Sequence, residues 1–463
     1  MVAVARQDVR SGPRVPKWYA GRSVLVTGAT GFLGMVTVEK LLRSCPDIGT
    51  IYMLVRPKRG RDPQERLEEY VSNVVFLYIS TSFCHSDHQV VEEKLYPAKA
   101  DPEKIMNIVS SMDDDLLEII TPKLLGNLPN TYAFTKNLTE ELVARYSDRL
   151  PIVIARPSIV ISIWKEPLEG WTANMNGPMG FLVAGGKGVL RVLMADPNIE
   201  SDFIPVDCTV NAIIILAWHV AVTRQPNPYV CNITNGRRNY VSWEGVLKNL
   251  MRISTTEVPL RPILWYCDPI VTTSVVWYTV CHFFLEVLPA HILDFFIRLS
   301  GRKPFLVHIK NRLHSAKIML RYYLVHEWTF INKNITSLHA SMAPEDQEVF
   351  YFNVDEVDQY DFCKKGLIGA KLYLLNESID NIPSDLRYIR RMYLLHVVVR
   401  TLFYGLLLWL LYSWSGPALE MVETAMEYLS SLLHGAPVIR ALTDQVPVSS
   451  TVLPGDEANV TNN

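Results

Sequence analysis

The chain has 463 residues, enough for roughly two or three structural units, and its 45 Lys and Arg nearly balance its 47 Asp and Glu. So small a net charge gives no general basic field for holding nucleic acid, which is therefore not an expected partner. Hydrophobic residues make up 49% of the chain, which directs attention to membrane-contacting segments. The seven cysteines have neither a CxxC pair nor zinc-ligand spacing, so we expect reduced packing residues in a cytosolic compartment and no bound metal.

The first half of the chain alternates short apolar runs with helical patterns. Strands are predicted at 22–26, 51–55, 74–80 and 152–155, and helices at 36–44, 132–146 and 207–223. This alternation is typical of a parallel sheet covered by helices. The sequence therefore predicts an α/β fold with a Rossmann-like parallel sheet over residues 17–225.

After about residue 225 the pattern changes to long apolar helices interrupted by Arg, Trp, Tyr and His. We expect a mainly helical domain over 226–392, a membrane segment over 393–414 and a disordered polar tail over 446–463. A further apolar stretch at 270–285 is bounded by prolines. It is expected to be a buried or interfacial helix that lines an apolar site.

The membrane segment carries a single charge in its apolar part. From His396 to Trp414 the chain runs for about 19 residues with only Arg400 charged, close to the roughly 20 that span a bilayer. Arg387, Arg390 and Arg391 precede it, so the positive-inside rule predicts that the preceding domains face the cytosol. The alternative is an amphipathic anchor entering one leaflet, because an arginine is costly at mid-bilayer.

A glycine-rich sequence, VLVTGATGFLG, follows the first predicted strand and opens the first helix. Its three glycines recur at three-residue intervals, which lets backbone N–H groups approach a pyrophosphate at the helix N-terminus. Because the pattern lies inside a strand–helix–strand unit, it predicts a dinucleotide site. The predicted cofactor-binding residues of this loop are Thr27, Gly28, Gly31, Phe32, Leu33 and Gly34.

The end of the second predicted strand is basic. A site that prefers NAD carries Asp or Glu there, whereas this chain has Arg56, followed by Lys58 and Arg59. Cations at this place match a ribose 2′-phosphate, which predicts NADPH as the cofactor. The alternative is a solvated basic loop.

Tyr132 and Lys136 lie four residues apart, on one face of a predicted helix. An ammonium beside a phenol favours the phenolate, which suits a proton donor to a carbonyl oxygen during hydride transfer. Such a pair also occurs as surface packing. The strand end LYISTSF adds Ser80, Thr81 and Ser82, any of which could hydrogen-bond the same oxygen.

Together, TGATGFLG, the Ser/Thr strand end and the YxxxK motif resemble the signature of extended short-chain dehydrogenases/reductases. The surrounding sequence is similar to that of fatty acyl-CoA reductases, and the helical C-terminal region is similar to that of male-sterility proteins. The likeness runs from about residue 17 to about residue 415. Matching stretches include IARPSIVISIWKEPLEGW, NGPMGFLVAGGKGVLR and DFIPVD.

The resemblance implies a role for each motif residue. Tyr132 would donate the proton, Lys136 would bind the nicotinamide ribose and tune the tyrosine, and Thr81 would hold the substrate oxygen. Arg156 and Pro157 would lie beside the nicotinamide. The implied activity is NADPH-dependent reduction of a long-chain fatty acyl-CoA, through an aldehyde, to a fatty alcohol. The implied location is the endoplasmic reticulum or peroxisomal membrane, and homo-oligomerisation is left open.

The sequence departs from this pattern after the second strand. Only 21 residues separate Val55 from Leu77, whereas a complete Rossmann domain has strands three and four there. We expect the predicted strand at 74–80, which takes the fifth position of a Rossmann sheet, to pair with the first strand at 22–26 instead. This pairing would shift Thr81 by about 4.8 Å. Such a shift predicts weak NADPH binding and slow or absent reduction. A splice variant and a gene-model error explain the gap equally well.

Two other readings compete with an active acyl-CoA reductase. One is a sterol or nucleotide-sugar dehydrogenase of the same extended type. The other is a catalytically inactive membrane-bound variant that retains lipid contact or oligomerisation. Cofactor affinity and the products found in lipid extracts would separate them.

Overall fold

The computed structural model describes residues 13–54, 75–236, 239–261 and 264–435. Contacts divide the chain into a compact unit, Met1–Met392, and a second unit, Tyr393–Asn463. Arg56, Lys58 and the tail at 446–463 lie outside the described residues, so the predictions for them stay predictions.

The helices are α1 Arg14–Tyr19, α2 Phe32–Ser44, α3 Pro102–Ser111, α4 Asp114–Leu125, α5 Thr131–Ala144, α6 Pro178–Gly186, α7 Val206–Thr223, α8 Trp243–Thr256, α9 Val275–His282, α10 Leu288–Leu299, α11 Leu306–Leu324, α12 Lys333–Ser341, α13 Pro344–Val349, α14 Gln359–Gly369 and α15 Ile382–Gly435. A π-helical turn, Phe283–Val287, joins α9 to α10, and another, Ala370–Leu374, follows α14. Short 3₁₀ turns lie at Ser82–His85, Val354–Glu356 and Ile379–Asn381.

The strands are β1 Val24–Thr27, β2 Ile51–Leu54, β3 Phe76–Ile79, β4 Val90–Val91, β5 Ile152–Pro157, β6 Ile159–Ile161, β7 Val192–Met194, β8 Glu200–Ser201, β9 Phe203–Pro205, β10 Tyr229–Ile233, β11 Val241–Ser242, β12 Ile270–Thr272 and β13 Thr329–Phe330. The four predicted strands are confirmed as β1, β2, β3 and β5. The three predicted helices are confirmed as α2, α5 and α7.

The parallel sheet is in two parts within the described residues. One part pairs β1 with β2, with Val24 opposite Ile51, and the other has the order β10-β5-β3. We expected the strand carrying Thr81 to pair with the first strand, and this was wrong: β3 pairs with β5 and not with β1 among the described residues. The predicted displacement of Thr81 depended on that pairing and does not follow.

Among the residues that the structure describes, helices rather than a shared strand pair join the two parts of the sheet. Helix α7 contacts α2, which follows β1, and it also contacts β5 and β3. Its mostly buried residues form the centre of the largest apolar core. The helix layer therefore holds the glycine-rich turn and the Thr81 strand in one compact unit.

Burial differs sharply between the two parts. All six residues of β5 are buried, whereas β1 alternates between half-buried and exposed positions. Leu25 on β1 is 58% exposed and Met53 on β2 is 55% exposed. Apolar strand residues this exposed indicate that the first part lacks a covering neighbour among the described residues.

The C-terminal half of the compact unit is interleaved with the sheet domain. Strand β10 lies beyond residue 225, where we expected the Rossmann-like domain to end, and still pairs with β5. Strand β13 pairs with β4, and β12 pairs with β7. Residues 226–392 therefore complete the first domain at several points.

In the part of the chain that the structure describes, three helical segments are apolar and long enough to cross a membrane: Val206–Thr223, Val275–Leu299 and Ile379–Ser413. The first is α7, whose burial makes it a core helix. The third lies largely in α15, which contains the whole predicted membrane segment, 393–414, and its apolar residues from Tyr393 to Tyr412 are exposed. The chain therefore has helices consistent with membrane association.

Candidate active site

The glycine-rich turn has the geometry that a pyrophosphate needs. Gly28 has a φ of +67°, a left-handed conformation that glycine adopts without strain. The Gly31 N–H donates to the Gly28 carbonyl oxygen at 2.9 Å, which closes the turn. At Gly34, on the first turn of α2, an added Cβ would overlap that same carbonyl. Glycine is thus required where the turn and the helix pack together.

The other predicted cofactor-binding residues of this loop lie directly beside the glycines. Thr27 ends β1, and Phe32 and Leu33 begin α2. The Phe32 ring lies 5.8 Å from the ring of Trp171, a contact that holds the start of the helix against the rest of the unit. Because the start of α2 is glycine-rich and lacks a side-chain cap, its N–H groups are available to an anion. These residues fit a dinucleotide phosphate.

Tyr132, Lys136 and Thr81 lie together. The Lys136 Nζ donates to the Ile79 carbonyl oxygen at 2.7 Å and lies 6.0 Å from the centre of the Tyr132 ring. The Tyr132 and Thr81 side chains are within hydrogen-bonding reach of each other. Asn130 caps α5 by accepting the Ala133 N–H at 2.9 Å, which fixes the helix that carries the tyrosine.

Desolvation shifts the pKa of both titratable members of this group. Although Tyr132 is 54% exposed, desolvation of its phenol raises its pKa, and partial burial lowers the pKa of Lys136. The phenol therefore remains protonated at neutral pH, which is the form that donates a proton. The expectation that Lys136 favours the phenolate of Tyr132 was wrong, because the Lys136 ammonium donates to the Ile79 carbonyl and desolvation dominates the pKa of the phenol.

The structure distinguishes Thr81 from its two serine neighbours. The Ser82 hydroxyl donates to the Arg156 carbonyl oxygen at 2.7 Å, and the Ser80 hydroxyl contacts the Cys84 sulfur at 3.7 Å. Both serines are buried in these contacts. Thr81 is the member of the strand end whose hydroxyl faces Tyr132.

A buried ion pair lies behind this group. Arg156 donates to both carboxylate oxygens of Glu140, at 2.8 and 2.6 Å, and His85 lies 3.0 Å from one of them. Burial alone would raise the pKa of Glu140, but hydrogen bonds from Arg156 and His85 lower it to about 2. The Arg156 guanidinium is thus committed to Glu140, whereas the carbonyl of Pro157 accepts from Thr81 at 3.5 Å.

Cys84, His85 and Glu140 have potential metal-ligand atoms within 4.8 Å of one another. The Arg156 guanidinium lies against both Glu140 oxygens and 3.2 Å from His85 Nε2. A cation would meet a fixed positive charge there, so the arrangement suits an ion pair and not a metal. The seven cysteines are free thiols, six of them buried, as predicted for packing residues.

Aromatic residues from the C-terminal half complete the wall beside Thr81. The Phe83 ring lies 5.2 Å from Tyr323 and 5.4 Å from Trp328, and Asn130 donates to the Tyr323 hydroxyl at 3.0 Å. Pairing of β13 with β4 brings this segment into place. This wall was not predicted from the sequence, although the aromatic run RYYLVHEWTF was a visible signal.

An apolar pocket of about 860 Å³, including its open mouth, lies between α6, α8 and α14. Ser162, which follows β6, contributes one of its few polar groups. Its larger lining residues are Phe181, Leu193, Phe203, Trp243, Leu250 and Phe362. A pocket with this apolar lining suits an aliphatic chain.

This parallel sheet, glycine-rich turn and Tyr–Lys–Thr group define a nicotinamide-dependent oxidoreductase. Two family models match, both described as male sterility protein. The NAD-binding model matches residues 26–76 and 68–213, and the second model matches 285–377.

Curated relatives of this chain are also oxidoreductases. Fatty acyl-CoA reductase 1 of Gallus gallus is 32% identical over 465 residues, covering 82% of this chain and 89% of the relative. Fatty acyl-CoA reductase 2 of Mus musculus is 32% identical over 482 residues, covering 85% and 92%. The chain belongs to the fatty acyl-CoA reductase family.

Among solved structures, the reductase domain of a nonribosomal peptide synthetase from Mycobacterium tuberculosis is 13% identical, with a TM-score of 0.46. The match covers 79% of this chain and 94% of that domain. This likeness is too distant to inform the site.

The comparisons also show the gap seen in the sequence. An alignment of 465 positions that uses 82% of the 463 residues leaves about 85 positions of the Gallus gallus relative without a counterpart here. The two matches to the NAD-binding model overlap at 68–76, between β2 and the Thr81 strand. Within the aligned region this chain is therefore shorter than the Gallus gallus relative, and the break in the family match falls between the two parts of the sheet.

Proposed function

We propose that this protein reduces long-chain fatty acyl-CoA to fatty alcohol with NADPH, through an aldehyde. The observation that carries the proposal is the convergence of Thr81, Tyr132 and Lys136 at one strand end. Membership of the fatty acyl-CoA reductase family supports the choice of substrate.

The contacts of these residues support the roles that the family resemblance implies for them. Thr81 and Tyr132 hold the carbonyl oxygen of the substrate between their hydroxyls, and the Tyr132 phenol gives that oxygen its proton. Lys136, fixed by the Ile79 carbonyl, positions the tyrosine and binds the ribose of the cofactor. When bound, NADPH supplies the hydride for each of the two reductions. Between them the thiohemiacetal carbon–sulfur bond breaks, which releases CoA as its thiol and leaves the aldehyde.

The proposed cofactor contacts come from two places. Thr27, Phe32, Leu33 and the three glycines hold the pyrophosphate, and the Arg156–Pro157 pair lies toward the nicotinamide. Within that pair we assign the contact to Pro157, because Glu140 occupies the Arg156 guanidinium. The preference for NADPH over NADH rests on Arg56 and Lys58.

We place the acyl chain in the apolar pocket between α6, α8 and α14. Its aliphatic and aromatic lining removes methylene groups from water, at about 0.8 kcal/mol for each buried CH₂. The Ser162 end of the pocket is continuous with β6, which follows β5 and the Pro157 strand end. The thioester would therefore lie toward the Thr81 group and the chain toward α8.

We further propose that α15 anchors the protein in the endoplasmic reticulum or peroxisomal membrane, with the catalytic unit in the cytosol. Its apolar residues support an anchor, and Arg387, Arg390 and Arg391 support the orientation. Within the catalytic unit, residues 17–225 together with β10 form the NADPH-binding domain, and the helices up to residue 392 form the substrate side. Homo-oligomerisation is compatible with this arrangement.

We expect the separation of the described sheet into two parts to weaken NADPH binding more than it slows the chemical step. The Thr81 group is assembled on the β3-β5-β10 part, whereas the glycine-rich turn lies on the exposed β1-β2 part. We therefore expect turnover at saturating NADPH but a KM for NADPH raised by about tenfold or more above that of the full-length relatives.

The test is product analysis with the full chain in detergent micelles, supplied with palmitoyl-CoA and either NADPH or NADH. The expected result is hexadecanol with NADPH, with two NADPH oxidised and one CoA thiol released for each alcohol. Accumulation of hexadecanal would show that the protein stops at the aldehyde and does not carry out the second reduction. Absence of NADPH binding in protein that remains folded and membrane-associated would favour the inactive alternative.

A further inference from the structure

The helical segment from α9 to α10 has a buried face and an apolar outer face. Cys281, Glu286, Ala290 and Asp294 are buried. Their spacing is five, four and four residues, and the five-residue step coincides with the π-helical turn, which keeps one face turned inward. The outer surface of the segment exposes six apolar side chains, which define the docking face: Val276, Phe284, Ile292, Leu293, Phe296 and Leu299.

The buried face is tied to the compact unit, so this segment does not cross a membrane as an independent helix. Glu286 accepts the backbone N–H groups of Arg191 and Val192 at 2.9 and 3.1 Å. The same carboxylate is paired with Lys317 of α11 at 2.6 Å and with His282 at 2.7 Å. Withdrawing the helix from the protein would leave these charges unpaired, which is strongly unfavourable.

Asp294 fixes the end of the segment. Its carboxylate accepts the N–H groups of Phe305, Leu306 and Val307, which caps the start of α11. The turn between α10 and α11 is therefore held at the edge of the docking face. Phe305 at this turn is itself exposed.

The exposed Arg, Lys, Asp and Glu side chains of the stretch that carries the docking face are all basic. Arg298, Arg302 and Lys303 are exposed at the end of α10 and in the following turn. The two acidic residues of the stretch 275–312 are Glu286 and Asp294, and both are buried. An exposed apolar helix face bordered by bases is the pattern of a helix that lies in the membrane interface.

We propose that the docking face of α9 and α10 lies in the surface of an anionic phospholipid bilayer, as a contact of the catalytic unit separate from α15. The apolar side chains enter the boundary between headgroups and acyl chains, and Arg298, Arg302 and Lys303 meet the lipid phosphates. Val192, which is bonded to Glu286, precedes Leu193 in the wall of the apolar pocket. The docking face is thus one strand away from the pocket.

The test uses the full chain with Cys363 changed to Ser, because Cys363 is the one native cysteine that is not buried. A single cysteine is introduced as Phe284→Cys or Leu293→Cys and labelled with an environment-sensitive fluorophore. Met106→Cys on α3, an exposed apolar position outside the docking face, is the matched control on an equally anchored protein. Each protein is reconstituted in phosphatidylcholine vesicles with or without phosphatidylserine, and doxyl-labelled lipid is the quencher.

Probes at 284 and 293 should emit at shorter wavelength and be quenched about twofold or more, whereas the probe at 106 should not respond. The double change Arg302→Glu and Lys303→Glu should lower the quenching at 284 in vesicles that contain phosphatidylserine. Emission at 284 and 293 like that at 106 would overturn the proposal. So would blue-shifted emission that doxyl lipid does not quench, because the face would then be covered by a second copy or by another part of this chain.

Discussion

The β3-β5-β10 part of the sheet and the β1-β2 part are built from similar apolar sequences but have different surroundings. Helices and neighbouring strands cover β5 completely, whereas Leu25, Tyr52, Met53 and Leu54 of the smaller part are exposed. The proposed catalytic residues lie on or against the covered part, and the glycine-rich turn lies on the open part. The comparison teaches that the site for chemistry and the site for cofactor binding can be damaged separately.

The largest stability effect should come from the buried ion pair on the covered part. Glu140→Gln keeps the shape of the side chain but leaves the Arg156 charge unpaired, so we expect a loss of about 3–5 kcal/mol in the free energy of unfolding. Denaturant unfolding in detergent measures it. Glu141→Gln, the next residue on α5, is the control, and its surface pair with Arg145 should contribute less than about 1 kcal/mol. Equal losses would mean that Glu140 is not a buried support.

The two parts of the sheet can be compared directly by truncation. Ile154→Ala on β5 removes fully buried methyl groups and should cost about 2–5 kcal/mol. Leu25→Ala on β1 should cost less than about 1 kcal/mol, because that side chain is exposed. Both values come from the same unfolding experiment. A large loss at Leu25 would show that β1 is covered in the folded protein, and the comparison would then fail.

A substitution in the glycine-rich turn should weaken NADPH binding without slowing the chemical step. Gly34→Ala places a Cβ against the Gly28 carbonyl, and we expect the Kd for NADPH to rise about a hundredfold, or about 2.7 kcal/mol. The rate at saturating NADPH should fall by less than about threefold. Fluorescence titration with NADPH and steady-state kinetics separate the two. Gly405→Ala, where an added Cβ meets nothing within 4 Å, should change neither.

The smallest predicted effect concerns pH. Burial raises the pKa of Glu93 to about 7, although N–H groups of Asn232 and Asn334 donate to it and oppose the rise. The folded protein therefore binds a proton that the unfolded chain releases near pH 4.5, so this residue's contribution to stability falls as the pH rises from about 4.5 to about 7. The free energy of unfolding should fall by on the order of 2 kcal/mol over this pH range because of Glu93, and Glu93→Gln should remove this pH dependence. Glu92→Gln, at the exposed neighbouring position, should leave the pH dependence of the free energy of unfolding unchanged.

Local motifs predicted the elements that depend on neighbouring residues. The spacing of Tyr132 and Lys136 and the glycine intervals placed those residues correctly on α5 and at the start of α2. Contacts distant in sequence were missed, such as the Trp328 indole that donates to the Ser86 carbonyl at 2.9 Å across 242 positions. No periodicity within one segment carries that information.

Two expectations failed for a related reason. Pairing of the Thr81 strand with the first strand was inferred from chain length alone, but strand order also depends on helix packing, and α7 joins the two parts without such a pair. The apolar stretch at 270–285 was expected to be one helix. It forms a short strand, Ile270–Thr272, before α9, because β7 offers that strand a parallel partner.

The most direct test of the central claim is the rate of hexadecanol formation from palmitoyl-CoA as NADPH is increased, for wild type and Tyr132→Phe. Tyr146→Phe, an exposed tyrosine just beyond α5, is the matched control. Wild type and the control should form alcohol and saturate at high NADPH, and Tyr132→Phe should be about a thousandfold slower at every concentration. A wild-type protein that is folded yet forms no alcohol at any NADPH concentration, or a Tyr132→Phe variant that keeps the wild-type rate, would contradict it.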